Sequence, residues 1–132
     1  MRRTEQRRAA VFALYQHDLT GRPLAVTLPG EAHDFTRSLA HAAADRSAEL
    51  DELIESHAHG WTAERIAPLE RSIMRVALIE MLHPDAVPSE QPIPPEGAID
   101  EAVETAKTFC ASRAPSFVNG ILDAILSENV AR

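Results

Sequence analysis

The sequence of 132 residues contains a single cysteine, so a disulfide within the chain is excluded. It has no run of 18 apolar residues, and we therefore predict no membrane-spanning helix. The opening residues MRRTEQRRAA carry charges without an apolar core, so we expect no secretory signal peptide. These absences predict a protein of the reducing cytoplasm, and the length suits a single domain over residues 1–132.

Patterns that carry catalysis or metal binding are also lacking. Of the six histidines only His57 and His59 are close in the sequence, and there is no H-E-x-x-H pattern or Cys–His cluster. A glycine-rich phosphate loop and a G-x-S-x-G elbow are also absent. Cys110 has no evident base near it in the sequence, which favours a small apolar side chain over a nucleophile. We expect no catalytic residue, no metal and no cofactor.

Charge is distributed unevenly along the chain. Residues 1–8, which we call the basic arm, hold Arg2, Arg3, Arg7 and Arg8 against one glutamate, whereas the whole chain carries a net charge of −7. A basic segment on an acidic body is typical of nucleic-acid binders, because arginine neutralises phosphates and releases counterions. A solvated N-terminus without a ligand is the alternative, and charge alone does not separate the two.

Apolar residues recur at helical spacings, and no segment alternates like a strand. We therefore predict an all-α fold, a compact helical bundle of about six to seven helices. The predicted helices are one over roughly 5–19 capped by Thr4, one beginning near Glu31, one from Ser47 to His57, a central one from Pro68, one from Ile99 to Phe109 and one beginning near Pro115. Arg2 and Arg3 then form a mobile segment before the first helix. We predict one loop over residues 22–30 and a second, proline-rich loop over residues 84–97.

The single tyrosine follows the basic arm on the first predicted helix. Tyr15 lies seven residues after Arg8 and eight after Arg7, near the same side of the helix. Its ring can stack on an unpaired base, as in proteins that read single-stranded RNA. The alternative is a core tyrosine with its hydroxyl at the rim.

The last predicted helix contains an unusual pair, Asn119 and Gly120, among apolar residues. Glycine inside a helix costs about 1 kcal/mol against alanine, so we expect Gly120 to permit a close helix contact or the approach of a ligand. Asn119 in that setting is expected to need a polar partner. The single tryptophan, Trp61, is interpreted as an anchor between helices.

Four segments together resemble the NusB family of transcription antitermination factors. They are RRTEQRRAAVFALYQ, RIAPLERSIMRVALIEML, AIDEAVETAKTF and SFVNGILDAI, of which the last two carry the most specific signature. The resemblance implies an all-helical bundle, often described as two three-helix subdomains. It implies binding of boxA RNA, as in ribosomal RNA leaders, together with NusE, a small-subunit ribosomal protein, in a complex on RNA polymerase that suppresses termination.

The resemblance also implies site residues. For RNA binding, Arg3 and Arg7 match the family's arginine-rich arm, Tyr15 matches its "ALY" aromatic, and Phe117 and Asn119 match its "FVNG" helix; Arg2 and Arg8 join them by charge and position. We expect Arg3→Ala and Arg7→Ala to weaken RNA binding without lowering the melting temperature.

The resemblance further places acidic residues at the NusE contact and shows where this chain departs from the family. Glu70 matches an acidic position that faces NusE, and Glu64 is a second candidate. Thr4 and Glu5 interrupt the basic arm, which is expected to lower RNA affinity and to flatten its salt dependence. The proline-rich loop 84–97 is longer than the family norm.

Two other functions fit parts of the sequence. One is the NusB-like accessory domain of a ribosomal RNA cytosine methyltransferase, although no glycine-rich cofactor loop follows within these residues. The other is a homodimeric helical adaptor without a role in RNA binding. A homodimer is also compatible with the antitermination function, since some family members dimerise.

Overall fold

The computed structural model describes residues 2–59, 65–89 and 91–130, and within these ranges every regular element is helical. Seven α-helices follow one another there: α1 (Arg3–Thr20), α2 (Leu24–Thr27), α3 (Asp34–Asp45), α4 (Ser47–Ser56), α5 (Pro68–Leu82), α6 (Pro95–Phe109) and α7 (Ala114–Val130). The predicted all-α bundle is confirmed. None of these helices has both the length and the apolar content needed to cross a membrane. Trp61 and Glu64, both singled out from the sequence, lie outside the described residues.

The first helix starts earlier than predicted. Arg2 stands at the N-cap position, where its carbonyl oxygen accepts the N–H of Gln6 at 3.1 Å, and Arg3 is the first helical residue. Thr4 lies inside the helix and does not cap it; its hydroxyl donates to the carboxylate of Glu101 in α6 at 2.8 Å. The prediction of a mobile segment before the first helix is therefore wrong for Arg3.

Glycine ends α1 as predicted. Gly21 adopts a φ of 72°, a left-handed conformation that favours glycine, and its N–H bonds to the carbonyl of His17 at 3.0 Å. The following segment, predicted as a loop over 22–30, contains the short helix α2. Leu24 and Leu28 are buried at its two ends, and their burial explains why a helical turn forms there.

The predicted break at residues 45–47 is confirmed, because α3 ends and α4 begins there. Ser47 is the first helical residue of α4 and not its cap. The start of α3 at Asp34 comes later than predicted, since Ala32 bonds back to the carbonyl of Pro29 at 3.1 Å in a turn that precedes the helix.

Prolines open two helices and shorten the predicted loop. Pro68 is the first residue of α5, as predicted, and Pro95 is the first residue of α6. Proline is favourable at this position because its missing N–H would have no helical partner there. Residues Pro84–Ala86 also form one turn of 3₁₀ helix. The prediction of a continuous loop over 84–97 is therefore wrong at both of its ends.

The central helix α5 organises the core. Every residue from Ser72 to Met81 is buried, and α5 packs against α1, α3, α4, α6 and α7. Its apolar residues lie on both faces, which is why the sequence predicts a helix packed on two sides. The helices α5, α6 and α7 pack on one another, as do α1 and α3, and one continuous apolar core joins the two groups.

Two networks of buried ion pairs fix α1 on α5. Arg75, which is 4% exposed, binds Asp51 of α4 at 2.7 Å and Asp18 of α1 at 2.6 Å. Burial alone would lower the pKa of Arg75, but hydrogen bonds and charges from the two aspartates raise it overall. The second network joins Arg7 of α1 to Glu80 of α5. Removing one member of such a pair costs about 3–5 kcal/mol, because the remaining charge is left buried without its partner.

Candidate nucleic-acid interface

The arginines at the start of α1 point to two different sides of the helix. Arg3 and Arg7 are four residues apart and share the side that packs against α3 and α5. Arg8 lies on another side, together with Phe12 four residues later and Tyr15 seven residues later. The basic arm is therefore not one continuous binding surface.

Arg7 is directed into the protein. Its Nε lies 2.6 Å from Oε1 of Glu80 and its Nη2 lies 3.0 Å from Oε2, so one guanidinium binds both carboxylate oxygens. A second carboxylate, that of Glu101, lies 3.8 Å from Nη1. The side chain of Arg7 is only 12% exposed and that of Glu80 only 7%. The structure thus places Arg7 beneath the surface on which the sequence predicts RNA contacts.

Arg3 lies on the same side of α1 but remains exposed. Its guanidinium carbon is 4.1 Å from the ring centre of Phe35 in α3, and its Nη1 donates to Oε1 of Gln6 at 2.9 Å. The attraction of a cation to an aromatic face holds Arg3 against the protein and leaves its charge in water. Arg2 is also exposed, with Glu5 at 3.8 Å, so both side chains lie on the outer surface.

The other side of α1 presents rings and a cation, and we call Arg8, Phe12, Tyr15 and Phe109 the aromatic face. Phe109 is the last residue of α6, and its ring meets that of Phe12 edge to face with 4.9 Å between the ring centres. The guanidinium of Arg8 lies 5.4 Å from the ring centre of Phe109. Phe109 keeps 44% of its surface exposed, and Tyr15 is partly buried. An exposed ring can stack on a base, and a cation beside the ring can contact the phosphate of the same nucleotide.

The start of α7 lies at the same end of the bundle, since only four residues separate it from Phe109. Phe117 is partly buried against the core, whereas Asn119 is exposed, as is Arg113 in the preceding turn. A Cβ atom added at Gly120 would meet nothing within 4 Å among the described residues. The expected close helix contact at Gly120 is therefore wrong, and the open space leaves its backbone accessible.

Sequence reasoning missed Phe12, Phe109 and Arg113. The apolar spacing of α6 places Phe109 with its core residues, and the structure shows that the end of the helix extends beyond the core. The spacing of Phe12, four residues after Arg8 and three before Tyr15, is the signal that identifies it as part of the aromatic face.

The candidate contact to a protein partner, Glu70, lies in the first turn of α5. It is partly buried, and burial raises the pKa of its carboxyl. Burial and the nearby charge of Glu70 together raise the pKa of the Cys110 thiol, which keeps that thiol protonated. Glu70 is thus close to the end of α6, where Phe109 belongs to the aromatic face.

Comparison with known proteins extends this description. The sequence model of the NusB family matches residues 4–127, nearly the whole chain. The chain belongs to the NusB family. A relative, the transcription antitermination protein NusB of Rubrobacter xylanophilus, is 38% identical over 128 residues, which cover 92% of this chain and 88% of the relative. The resemblance found in the sequence is therefore confirmed.

Solved structures of NusB proteins share the fold. The structure of T. maritima NusB superposes with a TM-score of 0.83 at 30% identity, covering 97% of this chain and 92% of that one. A chain in the crystal structure of antitermination factors NusB and NusE in complex with dsRNA has a TM-score of 0.78 at 24% identity, covering 97% and 99%. At 24% identity, the second match supports a shared fold alone.

Proposed function

We propose that this chain is a transcription antitermination factor that binds boxA-type RNA together with NusE and promotes transcription of ribosomal RNA by RNA polymerase. The observation that carries the proposal is the aromatic face, where the exposed ring of Phe109 lies beside Arg8 on a chain with a net charge of −7. Membership of the NusB family supports it, since the relative from Rubrobacter xylanophilus is named as an antitermination protein.

Phosphate contacts come from arginines on and near this face. Arg8 belongs to the face and is partly buried, whereas Arg113 is exposed in the turn before α7. The exposed Arg2 and Arg3 extend the positive charge toward the start of α1. Such contacts position the RNA strand but do not read its sequence. Arg7 contributes indirectly, because its bond to Glu80 fixes the turn of α1 that carries Arg8.

Sequence selection comes from unpaired bases that meet aromatic and amide groups. Phe109 and Tyr15 provide rings for stacking, which contributes about 1–3 kcal/mol per base. Asn119 is exposed and has both donors and an acceptor for a base edge. Phe117 lies two residues before it and supports that turn of α7 from the core side.

NusE is the proposed protein partner, and a basic ribosomal protein would be attracted by the acidic body of this chain. Glu70 is the proposed contact because it lies beside the end of α6, so a partner bound there can touch the RNA as well. Glu64 remains a second candidate. In the crystal structure of NusB and NusE with dsRNA, a protein of the same fold is bound to both kinds of partner.

We propose a binding module and not a catalyst, acting in the cytoplasm where nascent RNA is made. The thiol of Cys110, which follows Phe109 in the sequence, fits this role, since its raised pKa disfavours the nucleophilic thiolate. A homodimer formed through the exposed rings would compete with RNA for the same surface. Light scattering with and without RNA distinguishes the two occupants.

The test is a binding titration of boxA RNA and of a scrambled RNA of equal composition, with and without NusE, over a salt series. We expect boxA to bind more tightly than the scrambled RNA when NusE is present. Equal affinities in the presence of NusE would contradict the proposed specificity. Failure of NusE to raise boxA affinity would contradict the proposed partnership.

A further inference from the structure

A histidine joins α4 to the far end of α7, away from the aromatic face. His57 follows the last residue of α4, and its Nε2 lies 2.5 Å from Oε2 of Glu128 near the end of α7. Its Nδ1 lies 2.9 Å from the carbonyl oxygen of Leu53 in α4. The side chain of His57 is 13% exposed. Glu128 is 11 residues beyond Phe117, about 16 Å along a helix.

The neighbours of the His57 ring all act as hydrogen-bond acceptors. The carbonyl of Leu53 can only accept, and so can an ionised carboxylate of Glu128. The hydroxyl of Ser56 lies 2.9 Å from Nδ1, but it already donates its hydrogen to Leu53 at 2.8 Å, so it too accepts from the ring. With hydrogen on both ring nitrogens, the ring donates to Glu128 and to the Leu53 carbonyl at the same time, and a histidine with two N–H groups is a cation.

We propose that His57 is a proton-operated latch that holds the last turns of α7 against α4. With a proton on each nitrogen, the ring donates to α4 and to α7 at the same time. Loss of one proton leaves a nitrogen lone pair facing an acceptor, so one of the two bonds is lost. Loss of the positive charge also weakens the bond to the Glu128 carboxylate, because a charge-assisted hydrogen bond is about twice as strong as a neutral one.

The charges around the latch favour the closed form. Charged groups face α4 from each helix packed against it. Glu128 comes from α7, and Arg75 of α5 pairs with Asp51 of α4. His83 follows the end of α5, and Arg46 stands at the junction with α3. On α4 itself, Glu49 is shared by His83 at 3.4 Å and Arg46 at 3.3 Å, and Glu52 lines the same groove as Glu128. Among these groups, Glu128 is the carboxylate whose charge stabilises the protonated ring of His57.

The direction of the pH dependence follows from these contacts. The hydrogen bond to the Leu53 carbonyl is the largest cause that raises the pKa of His57, and Glu128 raises it further, while burial opposes both. The folded-state pKa therefore lies above the ordinary value of 6.5. The latch is fully closed below that ordinary value and weakens as pH rises through the raised pKa of His57.

The experiment is an NMR titration of the full chain that follows the ring C–H signals of His57 and the exchange protection of backbone amides in α7. We expect His57 to titrate above its ordinary pKa. The exchange protection of the amides of residues 126–129 should fall as pH rises through the pKa of His57. The fall should be up to tenfold for each pH unit by which that pKa lies above its ordinary value of 6.5. Amides at the start of α7 should keep their protection.

Matched variants separate the latch from general stability. His57→Gln and Glu128→Gln should each remove the pH dependence of protection, whereas His41→Gln, at an exposed position of α3, should preserve it. Titration of His57 at or below the ordinary value would overturn the proposal, as would a pH dependence that persists in Glu128→Gln. None of these measurements uses RNA, so the result is independent of the proposed function.

Discussion

The two sides of α1 use the same residue type in opposite ways. Arg7 is 12% exposed and binds both oxygens of a buried carboxylate, whereas its neighbour Arg8 lies over an exposed phenylalanine ring. Adjacent residues on a helix are about 100° apart, so one turn can serve the core and the surface together. A cluster of arginines in a sequence can therefore contain both a buried residue that holds the fold and a residue at the surface.

The largest expected effect is on the free energy of unfolding, when the ion pair on the inner side of α1 is removed. Arg7→Ala leaves the carboxylate of Glu80, 7% exposed, without its guanidinium. We expect the free energy of unfolding to fall by about 3–5 kcal/mol. Urea unfolding measures this as a lower midpoint. The structure thereby replaces the expectation that Arg7→Ala leaves the melting temperature unchanged.

The control for this change is the neighbouring position. Arg8→Ala removes a cation over a partly exposed ring and should lower the unfolding free energy by about 1 kcal/mol or less. Equal losses of stability for Arg7→Ala and Arg8→Ala would contradict the division of α1 into an inner and an outer side.

The second prediction concerns the outer side. Phe109→Ala removes the exposed ring of the aromatic face, and we expect RNA binding to weaken by about 1–3 kcal/mol for the one base that stacks there. Fluorescence anisotropy with labelled boxA RNA, in the presence of NusE, measures this loss. Val26→Ala is the matched control, because Val26 is an exposed apolar residue on α2. A similar loss of affinity for both variants would argue against stacking on Phe109.

The third prediction separates the two arginines by salt dependence. Each phosphate contact to single-stranded RNA contributes about 0.7 to the slope of log affinity against log salt concentration. Arg8→Ala should reduce the slope by about that amount. Arg7→Ala, measured where the variant is folded, should leave the slope unchanged. A reduced slope for Arg7→Ala would place its guanidinium on RNA.

The smallest expected effect is at the start of α7. Gly120→Ala should raise the unfolding free energy by about 0.5–1 kcal/mol, since its Cβ meets nothing within 4 Å among the described residues. The same variant should lower RNA affinity by filling the open space. Gly97→Ala in α6 is the control. We expect no gain in the free energy of unfolding for this variant, because its Cβ would lie 2.8 Å from Cγ1 of Ile93. Unchanged RNA affinity in Gly120→Ala would remove this position from the interface.

Much of the fold could be predicted because its signals are local. Apolar spacing identifies α5 as a central helix, and Pro68 and Gly21 mark a helix start and a helix end by their own backbone preferences. The start of α1 could not be predicted, since Thr4 looks like a cap in the sequence. Its hydroxyl instead bonds to Glu101, a partner 97 residues away.

The site was predicted less completely because its arrangement depends on contacts between residues that are far apart in the sequence. The inward direction of Arg7 depends on Glu80, which is 73 residues away in the sequence. The exposure of Phe109 depends on where α6 ends relative to the core, and apolar spacing alone does not indicate this. Tyr15 and Arg8 could be paired from the sequence because they lie on the same helix.

We propose that unpaired bases stack on the aromatic face and not on the inner side of α1. The most direct measurement is NMR of the aromatic ring signals during titration of the complex with NusE by boxA RNA. We predict shifts at Phe109, Tyr15 and Phe12, with the ring of Phe35 unchanged beneath Arg3. Shifts at Phe35 with no change at Phe109 and Tyr15 would contradict the claim.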